Sequence, residues 1–175
     1  NMGNALKELG NLAEAIEAYN KALSVKPDFA EAYNNMGIAL KKQGNLAEAI
    51  EAYNKAFSIN PDYAGAYYNL GIALTDIVFT KPNRNLQKII VSLLDRERYV
   101  RPKNIAKAAI SLLKFEPSLK KYLQLNNVEV MDSPLEVISD LSELPLLLKM
   151  MSICPLPDLE LEGLFTKLRC SILFN

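Results

Sequence analysis

Apolar residues return along the first part of the chain at steps of three and four. Tyr33, Met36, Leu40, Ala49, Tyr53 and Ala56 form such a series, and the spacing places one stripe on each of two amphipathic helices. Gly44-Asn45 marks a turn between these helices, and Pro61-Asp62 stops the second. Gly37 and Ala49 are small where the two helices are expected to cross closely. Tyr53 is large where a gap between successive units has to be filled. The pattern has a period of 34 residues: residues 1–29 lie over residues 35–63 without a gap and differ at only seven positions. A third copy runs over residues 64–74, after which the match ends. A fixed period of this size predicts stacked units, each burying its apolar face only against its neighbours. Such arrays usually present a surface, so the first question is what this one binds.

Past the repeats the period is lost, and residues 77–85, around Thr80-Lys81-Pro82-Asn83, read as a linker. Helical patterning then resumes. Leu86, Ile89, Ile90, Leu93 and Leu94 make one face, and Ile105, Ala108, Ala109, Leu112 and Leu113 make a second, entered through Arg101-Pro102. Pro117 starts a third helix that Asn126-Asn127 ends, and residues 128–131 read as a short extended connector. Ser133-Pro134-Leu135-Glu136 is a helix start: serine caps, proline suits the first turn, and glutamate closes the capping box. Two further helices are expected over residues 146–153 and 159–174, split by residues 154–157, the second opening at Asp158. The predicted fold is all-α. A helix-turn-helix solenoid over residues 1–76 holds two repeats plus the first helix of a third, and an irregular helical bundle follows over residues 86–175. Residue 1 aligns with Asn35, part-way into a first helix, and residues 166–175 run as helix without a stop signal. The chain is therefore expected to be a segment of a longer protein.

Half the residues are hydrophobic, enough to bury a continuous core. No stretch approaches the length of uncharged apolar sequence that spans a bilayer, so no membrane segment is expected and the location is read as cytoplasmic. The two cysteines, Cys154 and Cys170, match no motif spacing and read as structural thiols of a reducing compartment. Charge balances to zero over the chain but not along it. Residues 81–121 carry 11 basic against 3 acidic residues, including Lys81, Arg84, Lys88, Arg96, Arg98, Arg101, Lys103 and Lys107, while both flanks are acidic. A polyanion patch is one reading. Few aromatics accompany it and no recognition helix appears, so a solvated face or pairing with the flanks is preferred and nucleic acid is not expected as a partner. Histidine is absent, which removes the usual general base and the commonest metal ligand. Six of the seven glycines sit inside the repeats, leaving no phosphate cradle. The chain is thus read as non-catalytic, with no cofactor or metal.

The residues Tyr33, Met36-Gly37, Leu40, Ala49, Tyr53, Ala56 and Pro61 resemble the tetratricopeptide repeat pattern. Leu40 departs from it, standing where that family usually has tyrosine. The resemblance covers residues 1 to about 76 and implies a concave groove that binds a protein or an extended peptide. Asn1, Asn35 and Asn69 recur at one offset, which in this family faces the groove. A primary amide offers one acceptor and two donors, so a row of them can hold a peptide backbone. The row is similar to the asparagine ladder in the repeat domain of O-linked N-acetylglucosamine transferases. Duplication of near-consensus repeats explains the same asparagines equally well. The groove residues implied are Asn1, Asn4, Asn35, Ile38, Asn69 and Ile72, with Lys7, Lys41 and Lys42.

The carboxylate clamp of some tetratricopeptide domains is not expected. Asn4 and Asn35 stand at its asparagine positions, but Gly65 and Asn69 occupy the places of two of its basic residues. Residues 75–175 resemble a helical connector of bacterial proteins in which tetratricopeptide repeats precede an S-adenosylmethionine-dependent methyltransferase domain. The principal reading is a protein- or peptide-binding module. The alternative is a substrate-recruiting part of a larger methyltransferase, ahead of a glycosyltransferase, whose catalytic domain lies outside this chain and partners it intramolecularly. A third is a scaffold whose basic and acidic halves assemble subunits.

Overall fold

A computed structural model describes residues 2–96, 98–123, 134–153 and 158–173. Among them the chain is helical throughout, without a strand. The helices are α1 (Met2–Glu8), α2 (Leu12–Val25), α3 (Ala30–Gln43), α4 (Leu46–Ile59), α5 (Ala64–Leu74), α6 (Arg84–Leu94), α7 (Pro102–Leu113), α8 (Pro117–Leu123), α9 (Pro134–Ser142), α10 (Pro145–Ile153) and α11 (Leu159–Leu173). They divide into two compact units. One holds Asn1–Leu74 with Arg98–Val100, the other Thr75–Glu97 with Arg101–Asn175.

In the first unit the expected helix pairs are α1–α2 and α3–α4, with α5 as the first helix of a third copy. Gly44 ends α3 with φ 91°, and its N–H bonds back to the carbonyls of Leu40 and Lys41. Only a residue without Cβ enters that left-handed region at little cost. Inside each pair a tyrosine ring lies on a glycine. A Cβ on Gly3 would stand 2.7 Å from the Tyr19 ring, and one on Gly37 2.6 Å from the Tyr53 ring. Both tyrosines are 1% exposed. The small and large residues that the sequence assigned to separate contacts thus meet in one, because Tyr53 covers the glycine of its own repeat. Gly71 on α5 keeps the same role with another partner: Val100 covers it, at 2.7 Å from the place of a Cβ. Phe57 stacks on Tyr67 with ring centroids 4.8 Å apart, and Tyr67 on Tyr99 at 5.7 Å. The segment Arg98–Val100 therefore covers α5 as α2 covers α1 and α4 covers α3.

The second unit is built from amphipathic helices. α6 buries Leu86, Ile89, Ile90, Leu93 and Leu94, and α7 buries Ile105, Ala108, Ala109, Leu112 and Leu113, the faces read from the sequence. α10 packs on both through Leu146, Leu147 and Met150. α6 begins inside the stretch read as a linker. Asn83 caps it, its Oδ1 accepting from the Leu86 N–H at 2.9 Å. Asp158 caps α11 by accepting from the N–H groups of Glu160 and Leu161. Lys114 joins the end of α7 to this cap, 2.8 Å from Asp158 and 2.7 Å from Glu160. Tyr122 donates its hydroxyl to Asp140 at 2.6 Å. The expected stop at Asn126-Asn127, the connector over 128–131, the Ser133 cap, and Cys154 with residues 155–157 lie outside the described residues, as does the Cys170 side chain. Among the described residues no helix is long and apolar enough to cross a membrane.

Candidate groove on the first helices

Helices 14 residues long with an apolar stripe pack one face inward and leave residues on a second stripe free to meet the neighbouring first helix. On α3 that second stripe carries Asn34, Asn35, Ile38, Lys41 and Lys42. The structure ties it to α1 and α5 by hydrogen bonds. Lys7 of α1 donates its ammonium to Asn35 Oδ1 at 3.3 Å, and Asn69 of α5 donates its Nδ2 to Asn34 Oδ1 at 2.9 Å. Asn34 is 5% exposed and Asn35 8%, while Asn69 is half-buried. The three first helices are therefore joined in a file by side-chain amides and one ammonium.

The expected groove residues fall into two sets. Asn35 and Asn69 are engaged between helices rather than standing open. Asn4 is half-buried and accepts the Tyr19 hydroxyl at 2.7 Å. It thereby holds the ring that covers Gly3. Burial, with Glu31 and Glu8 nearby, pushes the Tyr19 hydroxyl above its ordinary range. Ile38, Lys7 and Lys41 are half-buried, Lys42 is exposed and Ile72 is 42% exposed. Lys41 occupies the offset of Lys7 one repeat on, yet no hydrogen bond or ion pair holds it among the described residues; Asn69 donates to Asn34. Asn1 lies outside the described residues.

Two contributors escaped the sequence reading. Asn34 joins α3 to α5, but its offset carries Tyr68 in the third copy, so it does not recur. Tyr63 lies beside Asn34; burial, reinforced by Glu31, raises its hydroxyl above the ordinary range against a hydrogen bond with Asn34. The Asn34-Asn35 doublet was the available signal. Adjacent residues on a helix point about 100° apart, so two neighbouring amides reach two different helices, here α1 and α5. Among the described residues no cluster of acidic or thiol side chains could hold a metal ion.

Paired helices of this spacing, with glycine under tyrosine in each pair, define a helical-repeat solenoid. The comparisons name the repeat: residues 3–44 match the family described as TPR repeat, and residues 30–63 match the Tetratricopeptide repeat. Residues 3–63 thus carry tetratricopeptide repeats, which generally mediate protein–protein interaction. A comparison with curated proteins found no match. Among solved structures the chain is similar to the crystal structure of MamA, at 16% identity, covering 99% of this chain and 98% of that one with a TM-score of 0.45. The connector resemblance of residues 75–175 to methyltransferase-bearing proteins finds no support in these comparisons, whose family matches end at residue 63.

Proposed function

We propose that the chain is a non-catalytic module that binds a protein or an extended peptide on the face formed by α1, α3 and α5. The observation that supports this reading is the file of polar groups from Lys7 through Asn35 and Asn34 to Asn69, running from helix to helix beside Ile38, Ile72, Lys41 and Lys42. The amides hold the helices in register, and the bound segment lies along Ile38, Ile72, Lys41 and Lys42 beside them. A hydrogen bond contributes on the order of 1 kcal/mol net, whereas micromolar affinity needs about 8 kcal/mol. Burial of Ile38 and Ile72 under the ligand therefore has to supply most of the affinity, and the lysines favour segments with acidic or carbonyl-rich stretches.

A peptide library screened by fluorescence anisotropy tests this. Ile72→Asp alters an exposed position, so helicity by circular dichroism should stay unchanged while affinity for any selected peptide falls at least about tenfold, a loss of roughly 1.4 kcal/mol. A library with no binder, or binders that Ile72→Asp and Lys41→Glu leave untouched, would remove the groove from consideration.

A further inference from the structure

The second unit contains a cleft of about 390 Å³ between α6, the start of α8 and the junction of α9 with α10. Arg84, Gln87 and Lys88 line one wall; Glu116, Ser118 and Glu143 line the others. Its chemistry centres on Glu116, which is 8% exposed. Oε1 of Glu116 accepts from Gln87 Nε2 at 2.7 Å, and that same nitrogen reaches the Leu112 carbonyl at 3.4 Å. No cation pairs with Glu116 among the described residues, although a carboxylate buried so deeply ordinarily has one. No buried side-chain oxygen lacks a partner among the described residues, so the second oxygen of Glu116, which no hydrogen bond holds, keeps some exposure on a residue that lines the cleft. Arg84 and Lys88 lie one helical turn apart on α6, both exposed and neither ion-paired among the described residues.

We propose that this cleft binds a free α-amino acid, with its ammonium on Glu116 and Glu143 and its carboxylate on Arg84 and Lys88. A simple anion would be set beside Glu116, and a simple cation would meet Arg84 and Lys88. A small ligand carrying both charges satisfies both walls. The volume stands near the lower end of small-molecule sites, which run from roughly 300 to 1,000 Å³, as a ligand of this size requires. The proposal uses only the second unit, so it stands or falls separately from the groove.

Isothermal titration of the purified chain with the free L-amino acids is the test, followed by the N-acetyl and carboxamide forms of any binder. Blocking either end should weaken binding at least about tenfold, the loss expected for a hydrogen bond to a charged group. Glu116→Gln should do the same to the free acid. Because Glu116 is buried, the exposed pair Arg84→Gln/Lys88→Gln provides a second variant, expected to retain native helicity and lose binding. The proposal is overturned if no free amino acid binds, if inorganic phosphate or methylamine binds as tightly, or if the blocked forms or the Arg84/Lys88 variant bind like the originals.

Discussion

Gly37 and Tyr53 show what single residues do in this fold. The ring of Tyr53 is 1% exposed and occupies the space a Cβ on Gly37 would enter. Removing the ring by Tyr53→Ala should destabilise the array by about 3–5 kcal/mol in urea unfolding, the range for a large buried aromatic. Gly37→Ala should also be clearly destabilising, since overpacking costs about 1–3 kcal/mol where neighbours cannot move. Gly44→Ala meets nothing within 4 Å and has only its φ of 91° against it, so about 1 kcal/mol is expected. An order in which Gly44→Ala is the most damaging would refute this packing. The residues themselves were legible, because they recur at fixed offsets. Their partnership was not, since spacing along a helix does not say onto which neighbour a ring folds. The amides follow the same logic: Asn35 and Asn69 stood out by recurrence, whereas Asn34, their structural complement, does not recur.

Helices were legible where the chain carries stop and start chemistry. Pro102, Pro117 and Pro145 each open a helix, as the fixed φ of proline favours, although the sequence reading began α10 one residue later. α6 starts ahead of its apolar face: Asn83, Arg84 and Asn85 carry no apolar position, and the start is set by Asn83 accepting from the Leu86 N–H. Asn83→Ala should lower the stability of the second unit by about 1 kcal/mol, the usual loss for an N-cap. Hydrogen exchange should locate the change in the first turn of α6, and uniform protection there would show that the cap does not hold the helix. The cover of α5 was beyond the sequence altogether. Tyr19 and Tyr53 follow their glycines at one spacing, but Val100 follows Gly71 at another, after α6 has intervened, so no repeat offset points to it.

Across the whole molecule, the two ends of the pH scale should act through different kinds of group. Burial pushes the Tyr53 hydroxyl up to about 12 from its ordinary 10.0. Its neutral form is thus favoured by folding: that stability is fully present below pH 10 and lost as pH rises through about 12. In the second unit, burial raises Asp158, but Lys114 and the N–H groups of Leu161 and Glu160 outweigh it and hold the carboxyl below its ordinary 3.8. The same contacts raise Lys114 against its own burial. The Asp158 contribution is present above pH 3.8 and disappears as pH falls through the lower folded value. Urea midpoints followed by circular dichroism should fall on the alkaline side, less steeply in Tyr53→Phe, and Lys114→Met should flatten the acid side. A midpoint unchanged across either limit would contradict the assignment concerned. The seat of Val100 has a consequence for engineering. α5 retains Gly71 and Tyr67 although no second helix follows it in register. A helix copied from Leu46–Ile59 and grafted behind α5 would bring its tyrosine to that glycine in place of Val100. The molecule thus carries a splice point at which whole repeat cassettes can be added without redesigning the helix that receives them.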